Sequence, residues 1–134
     1  MQIQPYLFFG GRTEEALEFY RKALGGEIQT IKRFSEMPDK AMVPPGAENK
    51  VMHAHARLGG SDLLASDGMG QGPKPFSGFS LSLVVDSVEE GKRVFKALAE
   101  GGKVEMDFAP QFWTPGFGQV TDKFGVSWMV NVTH

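Results

Sequence analysis

The sequence predicts an α+β fold of two similar βαβββ modules, and three observations lead there. The chain repeats itself: Thr13-Glu14-Glu15-Ala16-Leu17-Glu18-Phe19-Tyr20 with Gly25-Gly26 is echoed by Val88-Glu89-Glu90-Gly91-Lys92-Arg93-Val94-Phe95 with Gly101-Gly102. The Glu pairs stand 75 positions apart and the Gly pairs 76, so the register holds to within one residue. Each repeat is preceded by a short apolar run and followed by alternating segments, the order strand, helix, then three strands. At 134 residues the chain suits one domain burying about two thirds of its unfolded surface, whereas half of it would be short of core. The halves are therefore expected to share an interface, within one chain or across a dimer.

The elements follow in order. Tyr6 to Phe9, closed by Gly10-Gly11, reads as the first strand. Thr13 is placed to cap the first helix, with Glu14 and Glu15 favoured by the unpaired amides of its first turn. Ala16, Leu17, Tyr20, Ala23 and Leu24 recur at helical spacing, and Gly25-Gly26 offers a left-handed cap. Glu27 to Phe34 alternates as a strand, while Ser35 to Lys50, with Pro38, Pro44, Pro45 and Gly46, reads as a long loop. Val51 to Leu58, a tight Gly59-Gly60 turn and Asp62 to Ala65 read as a hairpin. The Gly- and Pro-rich stretch 67–77 is the expected linker between modules 1–66 and 78–134. In the second module Ser80 to Val85 alternates cleanly, and Ser87-Val88-Glu89-Glu90 fits a capping box. Val88, Val94, Phe95 and Leu98 are the inward positions of the second helix, and Lys103 to Phe108, Gly116 to Thr121 and Val126 to Val132 read as strands.

Composition narrows the function. A formal net charge of -2 with no basic stripe argues against a nucleic-acid partner. No apolar run approaches the roughly 18 residues of a spanning helix, so no membrane partner is expected and the chain reads as cytoplasmic. With no Cys, disulfides, thiolate chemistry and Cys-ligated zinc are unavailable. The Gly68-Met69-Gly70-Gln71-Gly72 run is followed by Pro73-Lys74-Pro75 rather than a helix, so it is no phosphate loop.

Two sets of residues could carry chemistry. His53, His55 and Arg57 repeat with the period of a strand and share one face, where either imidazole could act as acid and base or hold a divalent metal. The plainer account is a polar row hydrogen-bonded across a sheet. The second set is aromatic: Phe112-Trp113-Thr114-Pro115-Gly116-Phe117-Gly118 could line a pocket for an apolar ligand or simply pack as a lid. Trp128 on the last strand is better suited to core, Asp86 to the helix start and Asp122 to a turn.

Taken together, Tyr6-Leu7-Phe8-Phe9-Gly10-Gly11, Glu15-Ala16-Leu17-Glu18-Phe19-Tyr20, His53-Ala54-His55 and Gly59-Gly60-Ser61 resemble the PhnB-like branch of the vicinal oxygen chelate superfamily. The resemblance is strongest over Gly116 to Val132, whose core is Thr121-Asp122-Lys123-Phe124-Gly125-Val126-Ser127-Trp128. That superfamily includes glyoxalase I, extradiol dioxygenases and bleomycin resistance proteins. The resemblance implies paired βαβββ modules curving into a cleft, a small-molecule ligand and a homodimer. In metal-dependent relatives the strands supply ligands at positions that fall here on Pro5, His53 or His55, Ser80 and Met129. Only the histidine is a good donor, since Pro5 has no side-chain donor and a thioether suits hard ions poorly. The expected ligand contacts are Arg57, Ser80, Trp113, Phe117 and Met129, with His53 and His55 as catalytic candidates. Methyltransferase activity, a description often given to this branch, is not expected, for no adenosylmethionine-binding loop is present. Two functions stay open: an enzyme acting on a small metabolite with a histidine base, or sequestration of an aromatic ligand without turnover.

Overall fold

The computed structural model describes residues 1–70 and 72–133; Gln71, inside the expected linker, lies outside them. The chain divides into two units, Met1–Lys74 and Pro75–His134. Unit 1 holds β1 (Tyr6–Phe8), α1 (Thr13–Leu24), β2 (Gly26–Arg33), two single 3-10 turns (Phe34–Glu36 and Lys40–Met42), β3 (Val51–Leu58) and β4 (Ser61–Ser66). Its four strands lie in the order β1-β4-β3-β2, with β1 parallel to β4 and the other neighbours antiparallel. Unit 2 holds β5 (Leu81–Val85), α2 (Val88–Ala99), β6 (Lys103–Gln111), β7 (Thr114–Thr121) and β8 (Ser127–Val132). Its sheet repeats the pattern as β5-β8-β7-β6, with β5 parallel to β8.

Each sheet buries one face under its helix. In unit 1, Ala54, Ala56 and Leu58 of β3, Leu63 and Ala65 of β4 and Leu7 of β1 are buried with Ala16, Leu17, Tyr20 and Ala23 of α1. In unit 2, Val94, Phe95 and Leu98 of α2 are buried with Val120, Trp128, Val130 and Val132. Gly91 is also buried on that helix, because a Cβ there would sit 2.5 Å from the Phe108 ring. Val88, expected inward, is only half-buried.

The repeated Gly-Gly pairs have a common cause, and it lies in close approach rather than in the helix cap. A Cβ on Gly26 would collide with the Arg57 carbonyl oxygen, and one on Gly102 with that of Thr121. Gly25 has φ 80° and ψ 160°, outside the left-handed helical region expected for it. At the hairpin turn Gly59 and Gly60 both take positive φ, 56° and 91°, as a two-residue turn between twisted strands requires.

Two further local expectations change. Thr13 does not cap α1: the helix starts on it, and its buried Oγ1 has no hydrogen-bond partner among the described residues. The cap comes from Asp67, whose Oδ1 accepts from the Gly11 and Thr13 backbone amides at 2.9 and 3.0 Å. Ser87 caps α2 as expected, accepting from the Glu90 amide at 3.1 Å. The aromatic segment is no lid, since Phe112 and Trp113 form the β6–β7 turn and the rest belongs to β7.

Candidate functional site

Strand pleating sorts β3 into two rows. With Ala54, Ala56 and Leu58 under α1, His53, His55 and Arg57 stand on the opposite, helix-free face of the sheet. Register then places neighbours beside them. Tyr6 of β1 pairs with Leu64 of β4, which pairs with His55, so Tyr6, Leu64 and His55 share that face. From the other side, β2 sets Thr30 against His55 and Lys32 against His53.

Two hydrogen-bonded groups result. Asp62 Oδ1 lies 2.8 Å from His55 Nε2, and Asp62 Oδ2 accepts from Arg57 Nη1 at 3.0 Å. The Asp62 carboxylate thus joins two of the residues singled out from the sequence. Their exposure is graded, at 19% for the Asp62 side chain, 29% for His55 and 49% for Arg57. The hydrogen bond from His55, then that from Arg57, holds the Asp62 carboxyl below its usual range. In the second group the Tyr6 hydroxyl lies 2.9 Å from His53 Nδ1, and the rings are 5.6 Å apart and tilted. Burial pushes the Tyr6 phenol up, partly offset by its neighbour Ser66, whose own hydroxyl donates to the Val51 carbonyl oxygen at 3.3 Å.

The lowered Asp62 value fixes the sign of a pH effect. A carboxyl depressed on folding stabilises the fold above its ordinary value of 3.8, and that contribution disappears as pH falls through the lower folded value. In His55→Ala the Asp62 carboxyl is expected to titrate nearer 3.8, read by carbon NMR across an acid titration. An unchanged Asp62 titration would show that the His55 contact contributes nothing.

In unit 2 the corresponding face carries the other sequence candidates. Phe117 of β7 pairs with Asn131, and Gln119 with Met129, which pairs in turn with Ser82. Ser80 meets Ser127 through hydroxyls 2.6 Å apart, and Gln119 Nε2 donates to Ser127 Oγ at 3.3 Å. Trp113 packs edge-on against Phe117 at 5.5 Å and against Phe112 at 5.0 Å. Trp128 instead faces the core, where its Nε1 donates to Asp122.

The structure therefore brings His53, His55 and Arg57 onto one face of unit 1, and Ser80, Trp113, Phe117 and Met129 to the helix-free side of unit 2. Sequence reasoning passed over Tyr6 and Asp62. Tyr6 alternates with buried Leu7, which marks its face, but its partner depends on a parallel pairing that no local pattern announces. As for a metal, no three His, Asp or Glu side chains group to hold one among the described residues. His53 Nδ1 and His55 Nε2 are already engaged, so these side chains do not by themselves fit an ion, and no step below runs through one.

Two sheets of this order, each backed by one helix, define the glyoxalase/bleomycin resistance fold of the vicinal oxygen chelate superfamily. A glyoxalase/bleomycin resistance protein from Albidiferax ferrireducens matches over 98% of each chain, with 17% identity and a TM-score of 0.64, a likeness of fold. Within that class, the chain belongs to the family described as 3-demethylubiquinone-9 3-methyltransferase, whose model matches residues 1–131, the PhnB-like branch. Protein YjdN of Escherichia coli is 44% identical over 98% of this chain and 95% of its own. The crystal structure of protein PA1353 from Pseudomonas aeruginosa is 44% identical, covering 98% of this chain and 97% of that one, with a TM-score of 0.88. A Bacillus cereus PhnB protein, titled a putative 3-demethylubiquinone-9 3-methyltransferase, is 31% identical over 99% and 100%, with a TM-score of 0.84. Among the described residues no helix is long and apolar enough to cross a membrane.

Proposed function

We propose that this chain binds a small, oxygen-rich metabolite on the helix-free face of unit 1 and moves a proton there with His55. The observation that carries the reading is the Asp62 carboxylate held between His55 and Arg57. A carboxylate that accepts Nε2–H fixes the tautomer, leaving the Nδ1 lone pair of His55 as the base. A ligand O–H or C–H would give its proton to Nδ1, while Asp62 stabilises the imidazolium that forms. Arg57, pinned by Asp62 but half exposed, offers its other nitrogens to a ligand oxygen. Membership of a superfamily that includes glyoxalase/bleomycin resistance proteins supports small-molecule binding in general. The methyl-transfer description belongs to the family model, and none of the side chains assigned here depends on it.

The test uses the full chain without an affinity tag and a panel of small 2-oxo and 2-hydroxy acids, read by thermal shift and by turnover of any that bind. His55→Ala is expected to lower turnover by about 10²- to 10⁴-fold, the usual contribution of a general base. Binding and turnover that survive both His55→Ala and Asp62→Asn would overturn the reading. A second reading, sequestration of an aromatic ligand, is favoured by the β6–β7 turn, where Phe112 is 98% and Trp113 41% exposed. It expects indole to stabilise the wild type and not Trp113→Ala.

A further inference from the structure

We infer that the exposed rings of Tyr6 and Phe8, together with His53 and the amine of Lys32, form a subsite for an aromatic carboxylate. This names a substrate class for the face already proposed to bind a ligand; it rests on that reading for its place, and not on proton transfer by His55.

The rings come together through strand period and register. In β1, Leu7 is buried while Tyr6 is 38% and Phe8 55% exposed, so the two aromatic side chains share the helix-free face. Their ring centroids are 5.1 Å apart with an interplanar angle of 32°, and those of Tyr6 and His53 are 5.6 Å apart at 36°. The hydrogen bond between the Tyr6 hydroxyl and His53 Nδ1, 2.9 Å long, joins β1 to β3, so the Tyr6 ring reaches across β4. Phe8, Tyr6 and His53 thus make a tilted aromatic floor rather than an edge-on cluster. Apolar surface of this kind gains free energy when covered, and a flat ring covers it with the added attraction of aromatic pairs.

The charge at the edge of this floor decides the rest of the ligand. Lys32 of β2 is exposed and stands opposite His53 across β2–β3, one strand spacing of about 5 Å away and on the same face. Arg57 is engaged by Asp62 and has Glu27 opposite it, so the negative charge of the face gathers at that end. Lys32 enters no ion pair among the described residues, which leaves the uncompensated positive charge at the His53 end. A neutral apolar partner would cover the rings and leave that charge without a counterion. A ligand ring over Tyr6 and His53 lies within reach of the flexible four-carbon stem of Lys32, and a carboxylate on that ring meets the amine. An arylacetate carries both groups, separated by one carbon.

Phenylacetate, cyclohexylacetate and phenylacetamide, titrated into the full chain and followed by proton–nitrogen NMR, separate the ring from the charge. Phenylacetate is expected to bind about 2- to 10-fold tighter than cyclohexylacetate, the added worth of aromatic pairs. It should also bind tighter than phenylacetamide, a preference that falls with added salt and vanishes in Lys32→Gln. Phe8→Leu should reduce the preference for the aromatic ring and keep that for the charge. Both replaced side chains are exposed, so the fold is expected to survive. Equal binding of the three probes, binding of none, or a charge preference that persists in Lys32→Gln would overturn the subsite. So would sedimentation showing a dimer that Phe8→Ser dissociates, since the rings would then belong to a contact between two copies. A wild type that binds phenylacetate in this way yet turns over no 2-oxo or 2-hydroxy acid would sink the His55 reading and leave the subsite standing. Turnover that needs His55 but shows no preference for aryl acids would sink the subsite alone.

Discussion

Replacing Asp67 by alanine is expected to lower the unfolding free energy by about 3–5 kcal/mol, the range for breaking a buried hydrogen-bond network. The side chain is almost fully buried, and both oxygens are used. Oδ1 takes the Gly11 and Thr13 amides at the start of α1, and Oδ2 takes the Val51 amide at 2.8 Å, at the start of β3. Alanine removes charge-assisted bonds and leaves three backbone donors without an acceptor, the more costly consequence in a buried place. It also removes a negative charge from the positive end of α1. Asp67→Asn keeps one oxygen and should lose less. Urea unfolding of the full chain gives the comparison, and a loss under about 1 kcal/mol for alanine would mean that water replaces the carboxylate.

The second large effect is expected at Asp122, again about 3–5 kcal/mol for alanine. Oδ1 accepts from the Phe124 and Val126 amides at 2.9 and 3.0 Å, and Oδ2 from Trp128 Nε1 at 2.8 Å. One carboxylate therefore closes the β7–β8 turn and anchors the indole that lies under α2. Asp122→Ala should also change the fluorescence of Trp128 in the folded protein, since its N–H loses its partner. Asp122→Asn can satisfy the turn or the indole but not both, and should fall between. A folded-state spectrum and unfolding midpoint unchanged in Asp122→Ala would show the site to be an ordinary exposed turn.

The two carboxylates also mark where sequence reading reached and where it stopped. Asp122 was legible as a turn former from the Asp-Lys-Phe-Gly run, but its hold on Trp128 was not, because the indole lies on the next strand. Asp67 fell at the edge of an expected linker, whereas the structure makes it the cap of a helix 54 positions earlier. The same distinction runs through the candidate site. That His53, His55 and Arg57 share a face follows from strand period alone. That Asp62 reaches two of them depends on the β3–β4 register, and that Tyr6 reaches His53 depends on β1 lying parallel to β4.

The order of elements, the inward face of each helix and the tight Gly59-Gly60 turn could be read from the residues alone, because each depends on neighbours a few positions away and on the periods 3.6 and 2. Which oxygen meets which nitrogen was decided only by the folded chain. Those contacts join segments dozens of residues apart, and their geometry is set by strand pairing and close packing, which no local pattern encodes. Asp67, Asp122, Asp62 and Tyr6 owe their roles to that second kind of information.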